Sequence, residues 1–462
     1  SHSHSVVQTP GTKLLVAVAM IVTAASVTLS GVVGGSAAAA APQAPPGAVQ
    51  PDFGPNVRIF DPSMPTSEIQ ATVNAIRDDQ VDAEMGTQRY ALLFKPGTYG
   101  SAAEPLHIKV GYYTEIAGLG ASPTDVVTNA KVETYNRCLA PDNCIALVNF
   151  WRSVSNLTIN IMGETGCRAS ANFWAASQAA PMRRVNVTGG NLTLFDYCTA
   201  APQFASGGFI ADTKTGFVIN GSQQQYIVRN SSIGGWSNAV WNQVFAGVQG
   251  APAQTFPSPP YTTLATTPVS REKPYLYVDA EGTYHVFVPD ARTDTSGTTW
   301  ETGPTAGESI PLSDFFLARP SDSVKTINME LARGKHLLLT PGVYDVDRSI
   351  SVKRSDTVVL GLGVATLTAV DGAVPMRVAD VKGVDVAGLM IDAGTVNSPV
   401  LLQVGTPHAK KSDPSNPTTL HDVFFRIGGP HVGRATVSLE VNSDNVLLDH
   451  IWAWRADHGV DG

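Results

Sequence analysis

The hydrophobic positions of this chain change period twice. Residues 67–80 place Ile69, Val73 and Ile76 at four- and three-residue spacing, the apolar stripe of an amphipathic helix, with Ser67 as N-cap and Gln70 at N3 in a capping-box arrangement. From residue 90 the pattern turns into short β-branched runs broken by Gly, Asn, Asp and Ser, at 91–94, 106–110, 114–117, 146–150, 157–161, 185–187, 192–195, 216–219 and 226–229. Such runs predict strands. A second amphipathic stretch, 323–333, opens a second series at 349–352, 357–360, 365–369, 376–378, 385–391, 437–441 and 446–448.

The two series also open with the same words. Leu92-Leu93-Phe94-Lys95-Pro96-Gly97-Thr98-Tyr99 is matched by Leu337-Leu338-Leu339-Thr340-Pro341-Gly342-Val343-Tyr344, and each is followed by Gly-Leu-Gly, at 118–120 and 361–363. The distance from Pro to Gly-Leu-Gly is 22 residues in the first copy and 20 in the second, so the chain is a tandem of two related halves. Regular strand spacing without intervening helices excludes a βαβ fold and leaves a sandwich, a propeller or a parallel β-helix. A stacked solenoid exposes an apolar end that must be covered, and an amphipathic helix ahead of the first coil does this in both halves. Asn-rich turns at 156–160 and 229–233 suit coils whose corners stack polar side chains. The expected fold is all-β: two tandem parallel β-helices, each with an N-terminal capping helix.

The expected boundaries are a signal peptide at 1–41, a linker at 42–55, a first β-helical half at 56–249, a linker with a β-hairpin at 250–309 and a second half at 310–462. Lys13 precedes an apolar run, 14–33, and small residues at 36–41 offer Ala-x-Ala cleavage choices, the pattern of secretion. Proline, threonine and alanine dominate 250–268, which reads as linker, and 275–280 with 284–288 around Glu281-Gly282-Thr283 reads as a hairpin. The pattern at Asp461-Gly462 is still β-rich, so the second half is expected to be incomplete.

Acidic groups outnumber basic ones, 39 to 31, and only 15% of residues are charged. No basic tract is present to displace counterions from a phosphate backbone, which excludes nucleic acid as a partner. Four cysteines, Cys138, Cys144, Cys167 and Cys198, lie in the first half. In an exported chain an even count implies disulfides, and of three pairings Cys138 with Cys144 and Cys167 with Cys198 is favoured, because Leu-Ala-Pro-Asp-Asn between the first two reads as a tight loop. Without Cys-x-x-Cys or His at ligand spacing, neither a metal nor a cofactor is expected.

A helix ahead of Leu-x-Phe-x-Pro-Gly-x-Tyr, then an Ile-x-Val run, then Gly-Leu-Gly resembles the start of the pectate-lyase-like superfamily of right-handed β-helices. Two such starts in one exported chain are similar to glycoside hydrolase family 55, bacterial secreted proteins of the exo-β-1,3-glucanase type. That resemblance implies inverting hydrolysis of a β-glucan in a cleft between the halves, by a monomer with a polysaccharide as its partner and no membrane contact once the signal is removed. It also implies a general acid from the second half, expected beyond Gly462.

Inverting hydrolysis needs one protonated and one ionised carboxyl about 6.5–9.5 Å apart. The densest local candidate is 449–459, where Asp449, His450, Asp457 and His458 are the catalytic candidates and Trp452, Trp454 and Arg455 could hold sugar. In the first half the matching strand carries Arg229 and Asn230 where the second has Asp449 and His450, with Trp236 and Trp241 as candidate stacking platforms. The bland alternative is a coil that buries Ile451 and Ala453 and leaves the polar groups without a task. Two other functions compete: a non-catalytic polysaccharide-binding or adhesion solenoid, and a pectate lyase or polygalacturonase-like enzyme. The lyase would need clustered acidic residues for Ca²⁺ where this chain scatters them. The polygalacturonase pattern finds only Asn442-Ser443-Asp444 and a faint Asp457-His458-Gly459.

Overall fold

The computed structural model describes residues 50–410 and 413–460; the expected signal peptide and most of the expected first linker fall outside them. The strand runs come out as rungs of two parallel stacks. In the first half Val57–Phe60, Tyr90–Phe94, Thr114–Gly118, Arg152–Ile161, Met182–Thr188, Gly207–Ala211, Gln225–Arg229, Gln243–Ala246 and Tyr261–Leu264 hydrogen-bond in that order, each to the rung after it. In the second half Phe315–Ala318, His336–Leu339, Val358–Ala369, Asp385–Asp392, Thr418–Ile427 and Val446–Arg455 do the same. A further four-stranded parallel stack accompanies each series. Rungs bonded in parallel and in sequence order, with an α-helix only between the first and second rung of each series, make each half a β-helix.

The apolar runs are continuous because their two faces are buried against different things. In Tyr90–Phe94, Leu92 and Phe94 enter the first half's own core while Ala91 and Leu93 enter a third cluster between the halves. In His336–Leu339, Leu337 and Leu339 face inward and Leu338 meets that same third cluster. Strands buried on both faces lose the polar alternation of a half-exposed sheet.

Both capping helices form. In α1, Thr66–Gln80, the stripe of Ile69, Val73 and Ile76 is buried, but the capping box is not made. Pro65 is the N-cap and its carbonyl accepts from Glu68 and Ile69, which puts Ser67 inside the first turn. Gln70 instead clamps a strand: its amide donates to the His107 carbonyl and accepts from the His107 N–H, both at 2.8 Å. In α2, Val324–Ala332, Ser323 does cap, accepting from Thr326 N at 3.1 Å.

Three expectations are corrected. Residues 146–150 form a turn rather than a strand, closed by Asn149 N on Ala146 O. The proline-rich 250–268 stretch is not only linker, since Tyr261–Leu264 pairs in parallel with Gln243–Ala246. Several rungs were not expected at all, among them Val126–Glu133, Gly207–Ala211, Gln243–Ala246, Phe315–Ala318, Ser398–Val404 and Thr418–Ile427. The hairpin is present as Tyr275–Val278 against Tyr284–Pro289, with Gly307–Pro311 as a third strand. The cysteines pair as Cys138–Cys144 and Cys167–Cys198.

One backbone feature aims the polar side chains. Several rungs along the seam bend at a left-handed residue within or just past them: Asn156, Arg184, Asp212 and Asn230 in the first half (φ 55°, 54°, 52° and 44°), Gly388, Asp422 and His450 in the second (φ 72°, 52° and 74°). Register stacks these bends coil over coil. Asn and Asp tolerate this region, whereas Arg184 and His450 hold it against a steric cost, Arg184 through bonds to Asn156 Oδ1 and Asp212 Oδ2, both at 3.3 Å, and His450 through Asp422.

Candidate active site between the two halves

Register places Arg183, Ala211 and Arg229 one above another. The small middle residue separates two guanidinium groups that reach across to the second half. Asp449 receives Arg229 Nε on Oδ1 at 2.9 Å, and Arg229 Nη2 and Arg183 Nη1 on Oδ2 at 2.7 and 2.9 Å. His421, fully buried on the neighbouring rung, lies 3.3 Å from the same Oδ2 through Nδ1 and 2.9 Å from Asp385 through Nε2. Asp422 takes two bonds from Arg183, one from Lys273 Nζ at 3.0 Å and one from His450 Nδ1 at 2.8 Å. Arg229 Nη1 also meets Glu272 at 2.6 Å. Burial opposes ionisation of Asp449 and Asp422, but the arginines outweigh it and hold both carboxyls well below the usual carboxylate range.

Beside this clasp two other carboxyls are pushed the opposite way. Glu115 accepts from Gly363 N at 3.0 Å across the seam, and burial raises its pKa against the pull of Lys273. Asp212, bonded by Thr299 N and Oγ1 at 2.6 and 2.7 Å, is raised to about 7 by burial and by Glu272, against Arg184. Separated carboxyl pKa values are the raw material of acid–base catalysis. The cavity that Glu115 and Asp212 line has only about 40 Å³ of free volume, room for a few waters and not for a sugar ring. The sequence reading missed both residues; the 28-residue steps from Asn156 to Arg184 to Asp212, one per coil corner, are the signal that marks Asp212.

The other candidates from the sequence separate into groups. Asp449 and His450 are together in the clasp, His450 stacked on Phe209 with ring centroids 4.8 Å apart. Trp452 and Trp454 are half-buried and pack against Trp151 of the first half, and Trp452 Nε1 donates to Gln178 Oε1 at 2.9 Å. Asp457 and His458 are exposed, His458 joining Asp457 to Glu84 of the first half. Arg455 is spent on the preceding coil, donating to the Ala435 carbonyl at 3.1 Å. Trp236 is 8% exposed and wedged edge-on between Tyr226 and Phe245, so it builds core and offers sugar no face. Trp241 is 52% exposed. Ile451 packs on the core as expected, but Ala453 is exposed.

Among the described residues no helix is long and apolar enough to cross a membrane. The family model for the LAM55 pectate lyase-like domain matches residues 315–462. The chain is 50% identical over 410 residues to an exo-β-1,3-glucanase of Streptomyces sp. (strain SirexAA-E / ActE), covering 88% of this chain and 64% of that protein. It thus spans slightly less than two thirds of that relative's length. The solved structure of sacteLam55A from Streptomyces sp. SirexAA-E superposes with a TM-score of 0.83 at 49% identity, covering 89% of this chain and 71% of that one. A variant of sacteLam55A in complex with glucose gives 0.81 at 48% identity, with the same coverage. With two β-helical halves, a matching domain in the second and near-half identity across both, the chain belongs to the pectate-lyase-like proteins of glycoside hydrolase family 55.

Proposed function

We propose that this chain is an exported β-1,3-glucan hydrolase whose substrate lies along the groove where the halves meet. The observation that carries the reading is the position of Asp449: its carboxylate is fixed between two arginines of the facing half, three residues from Trp452, whose half-buried indole is tied to Gln178 across the same seam. An aromatic face beside an oriented carboxylate is what sugar stacking and glycosyl chemistry require. The exo-β-1,3-glucanase relative and the glucose-bound variant structure support a neutral glucan over a uronate. Two disulfides support export.

Within that chemistry Asp449 takes the ionised part. Hydrogen bonding to His458 lowers the pKa of Asp457 too, so neither carboxyl holds a proton to give at neutral pH. The general acid must be a carboxyl whose surroundings raise its pKa, in contact with the groove. The test is glucose release from laminarin by the full-length protein. Release from laminarin and none from polygalacturonate is expected; no release from any β-1,3-glucan overturns the proposal.

A further inference from the structure

We propose that Trp151 is a positioning residue: a buried stack of rings in the first half, with Trp151 at its head, sets the pose of Trp452 and Trp454 across the seam. The proposal rests on the β-glucan reading for the use of those two indoles and on geometry for how they are held. Just ahead of three successive rungs, Thr114–Gly118, Arg152–Ile161 and Met182–Thr188, the chain turns at left-handed residues, Tyr113, Trp151 and Ala179, with φ of 52°, 54° and 56°. The turns sit one over another, Tyr113 N donating to the Trp151 carbonyl at 2.6 Å and Trp151 N to the Ala179 carbonyl at 3.0 Å. This backbone region carries a steric cost for residues as bulky as Tyr and Trp, and persists only where the surroundings fix it.

Here the surroundings grip both rings. Tyr113 and Trp151 are buried and stack with centroids 5.4 Å apart and planes 10° from parallel. The Arg89 guanidinium lies 3.6 Å from the centre of the Tyr113 ring. From the second half Arg426 donates to the Tyr113 hydroxyl at 2.6 Å, and its guanidinium carbon lies 4.5 Å from the centre of the Trp151 ring. Arg426 is itself fixed by two bonds of 2.8 Å to Asp392. Cation–π contacts are strongest out of water, where these are. Trp151 Nε1 has no protein acceptor, so stacking rather than a hydrogen bond sets the plane of the indole.

That plane is passed on to the second half. Trp452 meets Trp151 at 5.7 Å and 73°, and Trp454 meets it at 6.0 Å and 56°. The two outer indoles lie 5.8 Å apart and 30° from parallel. Phe150, next to Trp151 in the chain, adds a ring contact to Trp452 at 5.9 Å. The third turn completes the hold, because Gln178 beside Ala179 accepts from Trp452 Nε1 at 2.9 Å. Trp452 is thus held through its ring and through its N–H. Trp151 itself is 1% exposed, so it acts on a sugar only through the indoles that it orients.

The test combines kinetics with fluorine NMR of the full-length protein carrying 5-fluorotryptophan, its Trp452 and Trp454 signals assigned through Trp452→Phe and Trp454→Phe. Trp151→Leu is expected to move both signals and to raise KM for laminarin about fivefold or more, with kcat changed less than about twofold, and Trp151→Phe, which keeps a flat ring, to recover most of that loss. Tyr113→Leu, which removes the ring stacked on Trp151, is expected to shift the same signals and KM in the same direction, and keeps the test valid where Trp151→Leu does not fold. A folded leucine variant whose KM is unchanged, whose two signals stay in place, or whose kcat alone falls overturns the proposal. If the unsubstituted protein releases nothing from laminarin while the signals move in Trp151→Leu and move less in Trp151→Phe, the β-glucan reading fails alone and the hold of Trp151 on the two indoles stands.

Discussion

Arg183 of the first half and Asp422 of the second are joined by two parallel hydrogen bonds, Nε to Oδ2 at 3.0 Å and Nη2 to Oδ1 at 2.9 Å, with both side chains out of solvent. Removing the guanidinium would leave buried Asp422 with only Lys273 and His450, and Asp449 with Arg229 and His421, in place of the bonds that Arg183 now makes to both. Arg183→Met is therefore expected to cost about 3–5 kcal/mol of unfolding free energy in urea, the cost of breaking a buried pair. Arg137→Met, which removes a more exposed pair with Asp82, should cost less than about 1 kcal/mol. Equal losses would show that the clasp is no more than a surface ion pair.

The clasp and its neighbour Asp212 have opposite pH signatures. Asp422 and Asp449 are depressed in the native state, so the stability they contribute is present above the ordinary value of 3.8 and is lost as pH falls through their lower native values. Asp212 is raised from 3.8 to about 7, so between those values the native protein binds a proton that the unfolded chain does not, and stability falls as pH rises. Midpoints of thermal unfolding measured from pH 3 to 8 should show a decline between about pH 4 and 7 that flattens in Asp212→Asn. A variant that keeps the full slope would assign the decline to other groups.

Much of this fold was legible because its own chemistry is local. The repeated Pro-Gly-x-Tyr and Gly-Leu-Gly series mark the start of each half, and Leu92, Phe94, Leu337 and Leu339 mark the cores. The rung Thr418–Ile427 was not legible, although all ten of its residues are buried. Leu420, Val423 and Phe425 face inward, but His421, Asp422 and Arg426 look like a solvated face until their partners arrive from Asp385, Arg183 and Asp392. The same holds for the site. Alignment of the halves set Arg229 opposite Asp449 as a lost carboxylate, whereas in space the two equivalent positions meet and form an ion pair. Pairing across more than 200 residues leaves no periodic trace in either strand.

The two disulfides differ in the chain they close, 31 residues for Cys167–Cys198 and 6 for Cys138–Cys144. On the loop-entropy account these are worth about 3.7 and 2.2 kcal/mol. Replacing Cys167 and Cys198 by Ser should therefore lower stability more than replacing Cys138 and Cys144, as read by urea unfolding. Non-reduced peptide mapping should recover the same two pairs, and a peptide linking Cys144 to Cys167 would contradict them.

The division of labour along Val446–Arg455 can be read kinetically. Asp449→Asn keeps the shape of the side chain but removes the charge that Arg183 and Arg229 surround, and loss of an oriented catalytic carboxylate lowers kcat by about a hundredfold or more. Because the same change weakens the clasp, its unfolding midpoint must be measured alongside, and rates compared where the variant is fully folded. Trp452→Ala removes a face that substrate and transition state meet alike, so KM should rise with kcat little changed. Asp457→Asn serves as the contrast: this exposed carboxylate is bonded to His458, and its loss should leave kcat near the starting value while loosening the link from His458 to Glu84. If Asp449→Asn and Asp457→Asn affect kcat equally, the clasp carboxylate has no special part in the reaction and the groove chemistry must be assigned to other side chains.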